Sequence, residues 1–320
     1  MDMLVSMLDA TFRVATPLVL AGLAGLFSER SGVVDIGLEG KMLAAAFAGG
    51  SVAFIAADPW VGLLAAMLTA WGLSMVHAFA CVTHNGNQMV SGMAINIVAA
   101  GITPTLASAW FHEGGRTPVL PTEGRFRPID LPLAETVKDV PILGQLYSDV
   151  ISGHTAPVYL TALIVPLVAY ILYKTRFGLR LRAVGDNPHA LDTAGVSVSR
   201  TRYLALSCNG LLCGMAGGYL SIAQSSGFLQ DMTAGKGYLA LAALIFGKWK
   251  PWPTLFACLL FAFTDALQVR LQGVALPVIG EVSVQFIQAV PYILTVLLLA
   301  GFVGKAVAPK AIGLPYVKSR

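Results

Sequence analysis

The feature that most constrains the fold is an uncharged run from Pro59 to His112. No Asp, Glu, Lys or Arg occurs in it, and a single turn signal, HNGN at 84–87, divides it. A helix of about 20 residues, the length that crosses a bilayer, fits on either side of that turn. Charged residues make up only 12% of the chain, about half the share usual in soluble domains. The sequence therefore predicts a polytopic membrane protein.

Apolar segments of this kind recur along the whole chain, and they predict one all-α transmembrane domain over residues 1–320 with about nine transmembrane helices. The seventh segment is short, so it is either a tilted span or a re-entrant piece packed inside protein. The nine segments cover residues 11–28, 38–57, 61–82, 88–111, 156–173, 203–224, 233–247, 253–271 and 284–303.

The charges of the loops predict the orientation of these spans. Loop 174–202 has six basic and two acidic residues, and the tail from Gly304 has four basic residues and no acid. Loop 112–156 has four basic and six acidic residues. The positive-inside rule places loop 174–202 and the tail in the cytoplasm and loop 112–156 outside the cell. Nine spans with an outer N-terminus satisfy this rule, whereas eight spans without 233–247 would leave the basic tail outside.

The cytoplasmic loop 174–202 contains the signals of a very short helix. Asn187 is suited to cap a helix, and Pro188 is suited to its first position. Gly195 is a natural helix stop because glycine readily enters the left-handed conformation. About two turns lie between them, and a helix of that length is not stable alone in water. The loop is therefore either a solvated linker or an element that docks on another surface.

The same loop resembles the cytoplasmic coupling loop of permeases from branched-chain amino acid, ribose and nucleoside ABC importers. Stretches 28–43 and 231–251 resemble the nucleoside branch of these permeases, and stretch 86–103 matches a further segment. The resemblance implies the all-helical permease fold of type II importers, with nucleosides as the solute. In the coupling loop it is carried by Gly178, Arg182, Ala183, Gly185, Asn187, Ala190, Gly195 and Val196.

The resemblance also implies partners. An ABC ATPase would dock on the coupling loop, and the chain has no G-x-x-x-x-G-K-[ST] motif with which to bind nucleotide itself. The expected complex has a second permease subunit forming a heterodimer with this one, ATPase subunits and a solute-binding lipoprotein or periplasmic protein, in the bacterial inner membrane and in contact with its lipid. The residues implied in coupling are Arg182, Gly185, Asp186, Asn187, Pro188, Ala190 and Gly195.

Other functions remain open from the residues alone. A sugar or branched-chain amino acid permease of the same superfamily is the nearest alternative, and an ion-coupled secondary transporter or channel is an alternative of a different class. An enzyme is not expected, because the sequence shows no recognisable cluster of catalytic residues. The five histidines and four cysteines show no metal-ligand spacing, and we expect no cofactor, no nucleic-acid partner and no cleaved signal peptide.

Polar side chains inside the predicted spans are candidates for the solute pathway, because such groups are costly in lipid. Each of them could instead hydrogen bond to a neighbouring helix, and Asp265 could pair with a base. The candidates are Asn96, Asn209, Gln224, Asp265 and Gln268.

Two further patterns predict packing and pairing. Glycines four residues apart, at 210, 214 and 218, predict a close helix–helix contact. Charges cluster between the first two spans, where mutual ion pairing is the simplest interpretation and an ATPase contact is the alternative. The clustered residues are Glu29, Arg30, Asp35, Glu39 and Lys41.

Overall fold

The computed structural model describes residues 2–132, 146–271 and 307–318, together with 275–276, 280–281, 289 and 293. The described part of the chain is a helical bundle. Its helices are α1 (Asp2–Arg30), α2 (Leu38–Ala56), α3 (Pro59–Ala78), α4 (Gln88–Phe111), α5 (Ala156–Lys174), α6 (Arg176–Asp186), α7 (Pro188–Thr193), α8 (Val198–Tyr219), α9 (Lys236–Phe246) and α10 (Pro251–Leu271).

Short elements extend or connect these helices. A π-helical turn continues α3 at Phe79–Thr83 and another continues α8 at Leu220–Gln224. The pairs β1 (Pro128–Ile129) with β2 (His154–Thr155) and β3 (Ala275–Leu276) with β4 (Gly280–Glu281) are antiparallel. A 3₁₀ turn at Thr122–Gly124 and a π turn at Leu146–Ile151 lie between α4 and α5.

The predicted spans agree closely with the helices. Six of the described helices are long and apolar enough to cross a membrane, and they match the first six predicted segments. The seventh segment forms only the 11-residue α9, and the eighth forms α10. The ninth, 284–303, lies outside the described residues apart from 289 and 293. The turn signal at 84–87 is confirmed, because Asn87 caps α4 through bonds from Met89 N and Val90 N.

The contacts define two ends of the bundle. At one end, the backbone of the tail hydrogen bonds to Gly185 and to Gly32, which follows α1. We call this the basic end and define it by residues 31–37, 174–197 and 307–318. At the opposite end, His154 lies beside Asp9 near the N-terminus. The N-terminus and the tail are thus at opposite ends, as an odd number of spans requires.

Helix α8 is central because its small residues allow close approach on two sides. A Cβ atom on Gly214 would lie 2.4 Å from the Met67 Cα of α3, and one on Gly217 would lie 2.2 Å from the Met42 carbonyl oxygen of α2. These distances leave no room for a side chain. The predicted glycine contact is confirmed, and Gly217 adds a second contact, with α2, that the four-residue spacing did not indicate.

Candidate functional site

Loop 174–202 folds into two short helices, of which the sequence predicts only the second. Helix α6 is amphipathic, and it begins where the Thr175 hydroxyl accepts a hydrogen bond from Gly178 N, 3.1 Å away. A Cβ atom on Gly178 would lie 2.1 Å from the Ile171 carbonyl oxygen, so α6 packs directly on the end of α5. Its charge-rich sequence contains no apolar run, so the hydropathy pattern does not predict it.

Helix α7 has the predicted boundaries. Asn187 Oδ1 accepts a hydrogen bond from Ala190 N at 3.1 Å, and Pro188 occupies the first helical position. Gly195 follows the helix with a φ of +79°, and Val196 N donates to the Leu191 carbonyl at 3.2 Å. The short helix predicted from the sequence is confirmed, and it packs on the bundle through the buried Leu191.

The residues implied in coupling divide into two groups by their surroundings. Gly185 is buried, because a Cβ atom there would lie 2.2 Å from the Arg30 carbonyl oxygen of α1. The Arg182 guanidinium carbon lies 5.2 Å from the centre of the Tyr173 ring. These two residues join the loop to the bundle, and Pro188 is partly buried. The exposed members of the set are Asp186, Asn187, Ala190 and Gly195.

A fully buried ion pair lies beside the turn that joins α1 to α2. Lys41 Nζ is 2.5 Å from Asp35 Oδ2, and both side chains are inaccessible to solvent. Asp35 Oδ1 also accepts a hydrogen bond from Gly37 N at 3.1 Å. His77 Nε2 lies 3.9 Å from Asp35 Oδ1 and 3.1 Å from the Val34 carbonyl oxygen. The pair therefore holds the turn against α2 and α3.

Asn209, one of the predicted pathway residues, belongs to this network. Its Oδ1 accepts hydrogen bonds from Lys41 Nζ at 3.3 Å and from Ser74 Oγ at 3.1 Å. Its Nδ2 donates to the Ala24 carbonyl at 3.0 Å. The side chain is completely buried, and its bonds join α8 to α1, α2 and α3.

The remaining charges of the cluster do not pair with one another. Trp249 Nε1 donates to the Glu29 carboxylate at 2.5 Å, and Arg30 Nε donates to the Trp249 carbonyl at 2.8 Å. The prediction of mutual ion pairing is thus confirmed for Asp35 and Lys41, and it is wrong for Glu29 and Arg30. Both residues bind Trp249 instead, a residue that follows α9 and comes next to the end of α1 only when the chain folds.

Glu39 binds the beginning of α9. Its two carboxylate oxygens accept hydrogen bonds from Gly235 N at 2.8 Å and Gly237 N at 2.6 Å. The first backbone N–H groups of a helix have no partner within the helix, and a carboxylate also interacts favourably with the helix dipole there. Glu39 therefore anchors the short α9 to α2.

A cavity of about 360 Å³ opens next to Glu39. Asn96 lies on its wall, where Oδ1 accepts from Gly40 N at 2.7 Å and Nδ2 donates to the Ile36 carbonyl at 3.0 Å and to Tyr238 Oη at 2.8 Å. Tyr238 is 43% exposed. Polar side chains lining the cavity are Glu39, Asn96, Asp231, Thr233 and Tyr238.

The other predicted pathway residues lie elsewhere. Gln224 lies at the end of the π turn after α8, where it lines two cavities together with Arg125. Asp265 and Gln268 are half-buried on α10. Within the described residues, no base forms an ion pair with Asp265. The structure thus brings Asn96 and Asn209 to consecutive residues of α2, Gly40 and Lys41, and leaves Gln224, Asp265 and Gln268 apart from them.

The sequence indicates that Lys41 pairs with a nearby acid, but it does not indicate the contacts of Asn209 with Lys41, of His77 with Asp35, or of Tyr238 with Asn96. The available signals were a lysine inside an otherwise apolar helix and a histidine inside the uncharged run. The distant partners could not be predicted from the sequence, because the bond from Lys41 to Asn209 spans 168 positions and the bond from Asn96 to Tyr238 spans 142.

Comparisons with known proteins identify the relatives of the chain. The guanosine ABC transporter permease NupQ of Bacillus subtilis is 39% identical, with 97% of this chain and 96% of that protein covered. The nucleoside ABC transporter permease NupC of Lactococcus lactis is 36% identical, covering 96% and 95%. A proposed glucose ABC transporter permease of Haloferax volcanii, TsgC13, is 36% identical, covering 86% and 80%.

Among solved structures, the chain is similar to a proposed metal-chelate type ABC transporter in an inward-facing conformation. The TM-score is 0.48 at 14% identity, covering 92% of this chain and 84% of that chain. The family model described as branched-chain amino acid transport system, permease component, matches residues 7–302. The chain therefore belongs to the branched-chain amino acid transport system permease family and is a multi-pass membrane subunit of an ABC importer.

Proposed function

We propose that this chain forms part of the translocation pathway for nucleosides in a bacterial inner-membrane ABC importer. The observation that carries the proposal is its identity of 39% and 36% to a guanosine and a nucleoside permease along almost the whole of each chain. Its partners would be a second permease, ABC ATPase subunits and a solute-binding lipoprotein or periplasmic protein. ATP would be hydrolysed by the ATPase chains.

We assign the contact with the ATPase to the exposed side of α7. Asn187 and Ala190 are exposed there, as is Asp186 at the end of α6, whereas Gly185 and Arg182 join the loop to α1 and α5. A six-residue helix is marginal by itself, but its N-cap and its buried Leu191 hold it in place. This arrangement offers a small, fixed surface on which an ATPase could act.

We assign the solute pathway to the cavity beside Glu39 because of the backbone that borders it. Gly22 of α1 lies against Ala240 and Gly25 against Leu244, so α9 runs in the same direction as α1 and begins near its middle. The preceding residues 225–235 are not helical. Irregular backbone at membrane depth is tolerated where it is buried in protein or lines a water-filled cavity.

Part of this irregular stretch is indeed covered by protein. Thr117 N donates to the Phe228 carbonyl at 3.1 Å, and Leu120 N donates to the Ser226 carbonyl at 3.0 Å. Asp231 and Ala234 remain exposed with positive φ angles of 53° and 46°. Exposed, non-helical residues at this depth favour a water-filled pathway on this side, between this chain and the second permease.

The five predicted pathway residues then have different proposed roles. Asn96 would contact the solute or fix Tyr238, and Gln224 would line the opposite end of the pathway. Asn209 would hold the helices around the buried ion pair. Asp265 and Gln268 stay candidates for the pathway on α10.

Reconstitution tests the function. The chain should co-purify with a Walker-type ATPase and a second permease, and the complex in proteoliposomes should accumulate guanosine only with ATP and the binding protein. Excess adenosine should compete with guanosine, and excess glucose or leucine should not. Competition by glucose alone would favour the sugar alternative suggested by the likeness to TsgC13, and uptake by this chain without an ATPase would favour a secondary transporter or channel.

Single substitutions test the coupling surface in the same complex. Asp186→Ala, Asn187→Ala and Ala190→Asp should each lower ATP-driven uptake while the permease still assembles. Leu179→Ala, at an exposed residue on α6 outside the proposed contact, is the matched control. Unchanged uptake and unchanged stimulated ATPase activity in all three variants would remove the assignment of α7 as the ATPase contact.

A further inference from the structure

The C-terminal segment 307–318 lies across the basic end of the bundle and touches each element that borders the proposed coupling surface. Its turns follow from its sequence, in which Pro309, Gly313 and Pro315 interrupt regular structure. Gly313 has a φ of +75°, a conformation that favours glycine. Ile312 N and Leu314 N donate to carbonyls three residues earlier, at 3.2 Å each.

Two backbone hydrogen bonds fix this segment to different elements. Ala311 N donates to the Gly185 carbonyl at 2.8 Å, in the last turn of α6. Gly313 N donates to the Gly32 carbonyl at 3.0 Å, in the turn between α1 and α2. Gly32 itself has a φ of +82°, and a Cβ atom there would lie 3.0 Å from the Ala311 carbonyl oxygen. The segment therefore bridges α6 and the α1–α2 turn at close contact.

A buried arginine fixes it to a third element. Arg202 of α8 is only 1% exposed, and its Nη2 donates to the Leu314 carbonyl at 3.3 Å. Burying a guanidinium is costly unless its N–H groups have acceptors. The backbone of the C-terminal segment supplies one of these acceptors, which ties the segment to α8.

Tyr316 completes the contact with α7. It packs with Val184, Leu191 and Val198 in one apolar cluster, and its ring centre lies 5.2 Å from that of His189 on α7. Because α7 is too short to be stable alone, the cover over Leu191 decides how firmly the helix is held. Tyr316 is thus a positioning residue for α7.

We propose that residues 307–318 act as a coupling strap that transmits movement of α7 to the α1–α2 turn. The inference rests on the proposed function of α7 as the ATPase contact. Coupling between two sites needs a connected element that both sites bias. The strap is such a connection, since Tyr316 covers α7 and Gly313, three residues before it, bonds to Gly32. Three residues beyond Gly32, Asp35 joins the buried pair with Lys41.

The test measures guanosine transported per ATP hydrolysed in the full reconstituted complex. Tyr316→Ala should keep the ATPase bound and its hydrolysis within about twofold of wild type, while the transport ratio falls about fivefold or more, the lower end of typical coupling energies. Tyr316→Phe keeps the ring and should behave as wild type. Val317→Ala, at a neighbouring side chain that is 67% exposed, is the matched control.

An unchanged transport ratio in Tyr316→Ala, or an equal loss in Val317→Ala, would overturn the proposal. If the Tyr316→Ala permease does not assemble with its partners, the test becomes hydrogen exchange of the full-length permease. Peptides covering 187–196 should then exchange faster in Tyr316→Ala than in Val317→Ala, and equal protection would overturn the role of the strap.

Measurements on the wild-type complex distinguish a failure of this proposal from a failure of the proposed function. If wild type accumulates another solute instead of guanosine, only the nucleoside assignment fails, and the ratio is measured with that solute. If wild type transports without any ATPase, both proposals fail.

Discussion

Lys41 and Asp35 form an ion pair that is wholly enclosed by protein, with 2.5 Å between Nζ and Oδ2. Lys41 lies one turn into α2, and Asp35 lies in the turn before it, so the pair closes the entry to α2. Hydrogen bonds from Lys41 to Asn209 and from Ser74 to Asn209 extend the contact to α3 and α8. The first three long helices and the central α8 therefore meet at one charged centre.

Breaking this pair on one side should destabilise the protein strongly. Lys41→Met leaves the Asp35 carboxylate buried without its cation, which typically costs about 3–5 kcal/mol. The double variant Asp35→Asn/Lys41→Met removes both charges and should recover most of the loss. The measurement is the temperature at which half of the detergent-solubilised protein remains monodisperse. Lys250→Met, at an exposed lysine, is the control, and a Lys41→Met variant as stable as this control would contradict the prediction.

The contact between α8 and α3 should tolerate no added methyl group. Gly214→Ala places a Cβ atom 2.4 Å from the Met67 Cα, so the helices must separate, and overpacking typically costs about 1–3 kcal/mol. Gly72→Ala on α3 is the matched control, because nothing lies within 4 Å of its added Cβ atom. We expect a lower midpoint of thermal aggregation for Gly214→Ala only. Equal midpoints for the two variants would show that this contact is looser than described.

Removing the cap of α7 should weaken coupling before it affects folding. Asn187→Ala loses the acceptor for Ala190 N, a change that typically costs about 1 kcal/mol. Asn187→Asp keeps an acceptor and should retain most of the transport. ATP-driven guanosine uptake, normalised to assembled complex, is the measurement. If Asn187→Ala and Asn187→Asp lower uptake to the same degree, the residue acts through something other than its cap.

A solute passing the cavity beside Glu39 should contact the exposed ring of Tyr238. Tyr238→Ala removes an aromatic surface, and an aromatic contact is worth about 0.5–1.5 kcal/mol. We therefore expect the KM for guanosine to rise about two- to tenfold, with the maximal rate less affected. Tyr170→Ala tests an exposed tyrosine on α5, which is 61% accessible and lies outside this cavity. A rise in KM for both variants, or for neither, would argue against this cavity as the pathway.

The bundle could largely be read from the sequence because its helices are defined by local properties. Apolar runs, the HNGN turn and the Asn187-Pro188 start each act over a few residues, and the structure has helices at those places. Helix α6 is not predicted, because an amphipathic surface helix rich in arginine lacks an apolar run. The roles of Glu39 and Asn209 could not be predicted from the sequence either. Glu39 bonds to Gly235, 196 positions away, and no local pattern encodes such a partner.

The position of the strap has a practical consequence for handling the protein. Lys318 is exposed, and Tyr316, two residues before it, lies against His189 of the short α7. A bulky fluorescent label attached through Lys318→Cys would therefore lie close to the surface that we assign to the ATPase and would compete with complex assembly. The same label attached through Leu8→Cys, an exposed position next to Asp9, would lie at the opposite end of the bundle.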